Sequence, residues 1–183
     1  MMNADTITFF TLGIYKRQNL FSNDIYKSYV IEHLKLLEKT GMVKVYGFCI
    51  MPTHVNIIWK ILKQTGSKEE MPHVNLMKMT SYKFLVHLRE NHPSVLDRFW
   101  VDRFFQKIQF WQKSGVPQEV YTKEELDHLL NYIHQEPVQE SQLDVTEAEN
   151  YTYSSAKYYQ TGNDEWDLIT NYKAEFAIEK ELV

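Results

Sequence analysis

The order of candidate strands and helices predicts an α+β fold of the ferredoxin-like, RRM-like kind: a split β-α-β sandwich with a four-stranded antiparallel sheet and one added C-terminal helix. Three observations carry that reading. Two β-rich runs have Pro52 and Thr53 between them, a hairpin signature. Two segments with near-helical apolar spacing follow the first strand and the hairpin. A clear helix start stands at Thr122.

The first strand is placed at Thr6 to Tyr15, rich in β-branched and aromatic residues. Ser22 or Asn23 can cap a helix with an apolar stripe of Ile25, Tyr29, Val30, His33, Leu34, Leu36 and Leu37, and Gly41 lies where helices commonly stop. Val43 to Met51 and Val55 to Leu62 form the hairpin. After the polar segment Lys63 to Glu70, residues Leu76, Met79, Phe84, Leu85 and Leu88 give a second helix ending by Pro93. Between Phe104 and Trp111, residues Phe104, Ile108 and Phe110 alternate with charged or amide side chains, which predicts the fourth strand. Thr122 and Glu125 then form a capping box, the next helix buries Leu126, Leu129, Leu130 and Ile133, and Pro137 closes it. The reading divides the chain into a domain over 1–137 and an acidic extension over 138–183 that packs on it, with Tyr151 to Tyr159 as a short helix.

With 183 residues and 44% hydrophobic side chains, the chain can bury one good core. Its single cysteine, Cys49, excludes an intrachain disulfide framework and a cysteine-based zinc cluster, and suits a reducing cytoplasm. No apolar run nears the roughly 20 residues that span a bilayer, and the N-terminus shows no secretory pattern, so no membrane partner is expected. The net charge of −4 conceals an asymmetry: residues 1–113 carry +7 and residues 114–183 carry −11. A basic body attracts phosphates through counterion release, and an acidic tail repels them unless it packs on that body or swings away.

Chemistry concentrates in Tyr46 to Lys60, YGFCIMPTHVNIIWK. Strand alternation sends His54 and Asn56 to one face with Val55 opposite, so two polar side chains project together from an apolar strand. A second polar set lies on the last helix. Tyr132 and Glu136 stand four apart and share a face, which His128 extends. A tyrosine phenol, with a reference pKa of about 10, needs a nearby cation or base to act as a nucleophile at neutral pH.

The Met-Pro-x-His-hydrophobe-x pattern resembles the HUH signature of the single-tyrosine transposases, especially those associated with bacterial REP (repetitive extragenic palindromic) elements. Asn131-Tyr132-Ile133-His134-Gln135-Glu136-Pro137 resembles the Tyr-Ile-x-x-Asn-Pro segment of that family, and Phe110-Trp111-Gln112 and Tyr153-Ser154-Ser155-Ala156 are further collinear matches. The resemblance runs from about Thr8 to Tyr159. It implies a DNA transposase that cuts and rejoins single-stranded or hairpin DNA through a 5′-phosphotyrosine on Tyr132. It also implies a divalent metal at His54, Asn56 and Glu136, with His128 and Gln135 as accessory residues. Lys44, Lys60, Arg98, Arg103, Lys107 and Trp111 are the DNA-binding candidates, in a homodimer or a monomer.

Two departures from the pattern touch the metal: Asn56 replaces the second histidine, and Glu136 the usual asparagine. An oxygen-rich set of this kind favours Mg²⁺ or Mn²⁺ over zinc or copper. Two readings from other classes stand beside the enzyme. One is a catalytically silent DNA- or RNA-binding module that stacks bases on Tyr46, Trp59 and Trp111. The other is a protein-interaction domain, suggested by the acidic tail.

Overall fold

The computed structural model describes residues 6–62, 71–102, 104–105, 107–113 and 116–176. The chain forms β1 (Ile7–Gly13), α1 (Asp24–Lys39), β2 (Val43–Met51), β3 (His54–Ile61), α2 (Pro72–Asn91) and the one-turn α3 (Pro93–Leu96). There follow β4 (Trp100–Asp102), β5 (Lys107–Ile108), β6 (Gln118–Val120), α4 (Lys123–Gln139) and α5 (Ala156–Thr161). The main sheet has the order β2-β3-β1-β6 with every neighbouring pair antiparallel. This is the split β-α-β arrangement that the sequence predicts.

Both faces of the sheet are covered, which is why β2 and β3 are buried along almost their whole length. Val55, Ile57, Trp59 and Ile61 of β3 join Val30, Leu34, Leu76 and Phe84 in one core. Ile58 joins Tyr46, Cys49, Leu126, Leu130 and Ile133 in a second core. The period of two along β3 therefore assigns α1 and α2 to one face and α4 to the other. α4 approaches closely at Gly47, where a Cβ would stand 2.4 Å from Leu130 Cδ2. The ladder between β2 and β3 also slips at Val45/Gly47, a bulge that accommodates the helix.

Local signals set the helix ends. The Asn23 side chain accepts from the Ile25 N–H at the start of α1, and Gly41 follows its end at φ +68°. The Thr122–Glu125 capping box is present at α4. Pro137 does not close that helix, which runs two residues further. The ring removes only the bond to the Ile133 carbonyl, and the Glu136 carbonyl still accepts from Glu140 N–H at 3.1 Å.

The fourth strand differs from the expected Phe104–Trp111. The β1 edge is served by two short pieces. β6 pairs with Ile7 to Phe9, while Tyr15 N–H donates to the Phe110 carbonyl at 2.7 Å and Gln112 N–H to the Gly13 carbonyl at 2.8 Å. β4 and β5 pair with each other as a separate antiparallel sheet. At the end of β4 the Asp102 carboxylate accepts from the N–H groups of Phe104 and Phe105, and Phe104 is 89% exposed. The alternation read as one strand spans a turn and the start of another segment.

The base-stacking aromatics are corrected as well. Tyr46 and Trp59 are fully buried, and Trp111 is 6% exposed with its indole N–H donating to Thr80 Oγ1 at 3.2 Å. A four-stranded sheet of this topology could present them for base stacking only if one face were open, but both sheet faces carry helices.

The chain beyond α4 runs along the outer edge of β2. Ile50 N–H donates to the Tyr153 carbonyl at 2.9 Å, Ser155 N–H to the Phe48 carbonyl at 3.0 Å and Thr170 N–H to the Val45 carbonyl at 2.8 Å. Strand-edge groups left open by the sheet are thereby satisfied. Among the described residues no helix is long and apolar enough to cross a membrane.

The Gly47 contact yields a test. Gly47→Ala should lower the unfolding free energy by about 1–3 kcal/mol, because an added methyl must displace a packed core leucine. Urea titration followed by tryptophan fluorescence reads this, and an unchanged midpoint would show that α4 has slack over the sheet.

Candidate active-site cleft

β3 begins at His54, immediately after the Pro52–Thr53 turn. In the ladder, Gly13 of β1 faces His54 and Thr11 faces Asn56. Alternation sends Thr11, His54 and Asn56 to the face that α4 crosses. Tyr132 and Glu136, one helical turn apart, lean over the same end of that face.

Thr11, His54, Asn56 and Glu136 meet in a tight cluster. Glu136 Oε1 lies 2.9 Å from His54 Nε2, and Glu136 Oε2 accepts from Asn56 Nδ2 at 2.6 Å. The Thr11 hydroxyl donates to Asn56 Oδ1 at 2.8 Å. The bond to Glu136 requires a hydrogen on His54 Nε2, which leaves Nδ1 to accept from the Thr53 hydroxyl at 3.2 Å. Asn56 is 1% exposed, so both ends of its amide need these partners. Tyr132, 51% exposed, stands edge-on to Phe9 with ring centroids 6.5 Å apart.

These residues border a cleft of about 340 Å³ lined by Thr11, Arg17, Gln112, Lys113, Tyr132 and Glu136 together with Gly13, Thr53 and His54. Gly13 matters for its shape: a Cβ there would stand 3.0 Å from Gln112 Oε1. Lys16 and Arg17 both adopt φ +53°, a left-handed conformation costing roughly 1–2 kcal/mol per non-glycine residue. That turn brings Arg17 to the cleft, so the rim is cationic on two sides while its floor holds one carboxylate.

As a metal site, the donor set is one imidazole, one carboxylate and one amide. Among the described residues no three His, Cys, Asp or Glu side chains are grouped for a cation. The 2.9 Å between His54 Nε2 and Glu136 Oε1 nevertheless matches the spacing of adjacent ligands, ~3.0 Å, around an octahedral ion bonded at about 2.1 Å. Those two groups fit a hard divalent ion, which would compete with the hydrogen they share. Asn56 turns its nitrogen, not its oxygen, toward them.

The other sequence candidates are dispersed. His128 is exposed and Gln135 half-buried on α4, and neither lines the cleft. Lys44 and Lys60 face each other across β2 and β3 at the far end of the sheet, where both bond Glu175 at 2.7 and 3.0 Å. Burial would raise the Glu175 carboxyl, but the two lysines outweigh it and hold it down at about 2. Arg98 lines a separate cavity near α3, Lys107 lies on β5, and Arg103 lies outside the described residues. Thr11, Arg17, Gln112 and Lys113 were missed. Reading the period of β1 against that of β3 would have found Thr11; Arg17 reaches the cleft through a 3-10 turn, and Gln112 and Lys113 through the segment that pairs with the end of β1.

His134, beside this cluster on α4, faces the other way. It shares a 2.8 Å bond with Ser155 Oγ, and burial lowers its pKa to about 4. It anchors the chain after α4 and takes no part in the cleft.

No family model matches the chain, and no curated protein matches its sequence. Its fold is similar to that of a solved REP-associated tyrosine transposase bound to a REP hairpin. The TM-score is 0.61 at 13% identity, over 93% of this chain and 89% of that one.

Two predictions follow from the geometry. Asn56→Asp would set a buried carboxylate against Glu136, at a cost of about 3 kcal/mol at neutral pH. Like charges raise a folded-state carboxyl pKa, so the deficit should shrink as pH falls through the acid range and on adding Mn²⁺. A deficit indifferent to both in chemical denaturation would show that the two carboxylates do not share a site.

His134 sets a second pH dependence. Its folded pKa is depressed below the unfolded value near 6.5, so the unfolded chain binds the proton first. Stability should fall as pH drops from about 6.5 to about 4, and His134→Gln should flatten that slope in pH-dependent thermal melts.

Proposed function

We propose that this chain is a REP-associated-type, single-tyrosine HUH transposase that cleaves and rejoins single-stranded DNA beside a hairpin. The observation that carries the reading is the meeting of Tyr132 and Glu136 on one helix face with His54 and Asn56 on one strand face, across a cleft with Arg17 and Lys113 on its rim. The fold likeness to a hairpin-bound tyrosine transposase and the collinear motifs support it.

In this reading the scissile phosphate enters between the cationic rim and Tyr132. Arg17 and Lys113 bind its non-bridging oxygens and hold phosphorus in line with the phenol. The Tyr132 oxygen attacks phosphorus and its proton passes to solvent water at the open cleft. The bond from phosphorus to the 3′-oxygen breaks, and that oxygen leaves as a 3′-hydroxyl after taking a proton from solvent, so no net proton is gained or lost. The product is a 5′-phosphotyrosine, and its ester bond retains the energy that a later 3′-hydroxyl uses to rejoin strands. His54 and Glu136 would hold Mg²⁺ or Mn²⁺, which when bound supplies Lewis-acid stabilisation of charge at the phosphate. Asn56 fixes the Glu136 carboxylate from below, and Thr11 fixes Asn56.

A second reading, a binding module that no longer cuts, draws on the Asn56 nitrogen that faces the His54–Glu136 pair. One experiment separates them. Incubation with a labelled hairpin oligonucleotide and Mn²⁺ should yield a denaturation-resistant adduct. Tyr132→Phe should abolish that adduct while changing DNA affinity less than about threefold, since only a hydroxyl is lost. An adduct that survives Tyr132→Phe refutes the assignment of the nucleophile. Salt-dependent binding without any adduct selects the second reading.

A further inference from the structure

A cavity of about 340 Å³ lies where the connection before α1 meets the end of α2 and α3, and it shares no lining residue with the cleft that holds Tyr132. Leu20, Leu88, Val95 and Phe99 supply its apolar wall, and all but the half-buried Val95 are buried. Arg98 and Tyr26 line it as well, and each lacks a partner. Arg98 is exposed and pairs with no carboxylate among the described residues, and no carboxylate lines the cavity. Tyr26 is 2% exposed, and its hydroxyl oxygen is buried without a hydrogen-bond partner.

A buried hydroxyl of this kind is uncommon, because it has given up water without gaining another bond. Packing accounts for the ring, which stands edge-on to Phe84 at 5.6 Å and to the His87 ring at 5.3 Å, contacts that a phenylalanine would make equally well. The oxygen is the unexplained atom. Burial raises its pKa to about 12, so at neutral pH it keeps its proton and donates. The occupant follows from what the lining offers. One guanidinium and one neutral donor match a single negative charge spread over two oxygens, since the guanidinium fork bonds a carboxylate bidentately. A phosphate monoester carries nearly two charges, and one of them would go uncompensated here. Water would satisfy the hydroxyl but leave the guanidinium and the apolar wall unmatched. That wall calls for a hydrocarbon body behind the anionic head, and a cavity of this size takes a small molecule.

We propose that this cavity binds a small monocarboxylate with an aryl or alkyl body. Arg98 and the Tyr26 hydroxyl hold the carboxylate, and Leu88 and Phe99 receive the body. None of these residues enters the strand-cleavage chemistry, so the proposal stands or falls independently of how the cleft is read.

NMR titration of the ¹⁵N-labelled full chain tests this, with benzoate, hexanoate, benzyl alcohol and inorganic phosphate as probes. Benzoate or hexanoate should shift the amides around Leu20 and Phe99 saturably, and whichever binds better identifies the body as aryl or alkyl. Benzyl alcohol lacks the charge and phosphate lacks the body, so each should bind at least about tenfold more weakly. Arg98→Gln should weaken the better carboxylate by at least about tenfold. Arg98 is exposed and makes no ion pair among the described residues, so that variant should fold as the parent does. Tyr26→Phe should weaken it about fivefold without lowering the melting temperature, whereas a merely structural tyrosine would leave affinity unchanged. Three results overturn the site: neither carboxylate shifts these amides, Arg98→Gln leaves their affinity intact, or phosphate binds as well as they do. If the probes fail while Arg98→Gln weakens binding of a hairpin oligonucleotide, Arg98 belongs to a DNA surface and the proposal is likewise overturned.

Discussion

Everything distinctive in this molecule depends on how closely α4 lies on the second face of the sheet. Gly47 permits that approach, since any side chain there would collide with Leu130. Leu126, Leu129, Leu130 and Ile133 supply the apolar contact, and burying each is worth roughly 1.5–3 kcal/mol before entropy is set against it. The helix carries Tyr132 and Glu136 with it. A shift of one turn along the sheet would leave Glu136 without His54 or Asn56, and would strand a buried amide with no acceptor for its N–H groups. Packing and polar pairing thus specify the same seat, which is how a buried polar cluster acquires a single geometry.

Charge is arranged around that seat in a way the overall balance hides. Part of the acidic C-terminal region is spent internally: Glu175 neutralises Lys44 and Lys60 at the far end of the sheet, and the stretch around Tyr153 to Ser155 closes the β2 edge. Cations at the cleft come instead from Arg17 and Lys113, both on short connections. Arg17 reaches its place through two successive left-handed residues. Strain of that kind persists only where surrounding structure enforces it, and here it coincides with the cleft.

The broken edge of β1 shapes the approach to the site. One piece of chain, β6, covers Ile7 to Phe9, and another, Phe110 to Gln112, covers the end beside His54. An uninterrupted fourth strand would place a continuous row of side chains along this edge. The interruption instead lets Gln112 and Lys113 turn toward the cleft on one side and toward α2 on the other.

The sequence by itself determined the first three strands and the helices beside them, the Thr122 capping box, and the shared faces of His54 with Asn56 and of Tyr132 with Glu136. Each of these is written in residues at most four apart, where a strand period of two or a helix period of 3.6 fixes direction. What only the tertiary structure decided lies between residues remote in the chain. Asn56 and Glu136 stand 80 positions apart, and no local period says that one will bond the other or which atom of the amide will face the carboxylate. The burial of Tyr46, Trp59 and Trp111 and the capture of Lys44 and Lys60 by Glu175 escaped for the same reason. Exposure and pairing are set by whatever packs opposite a face, here a helix and a tail that local pattern names but cannot position.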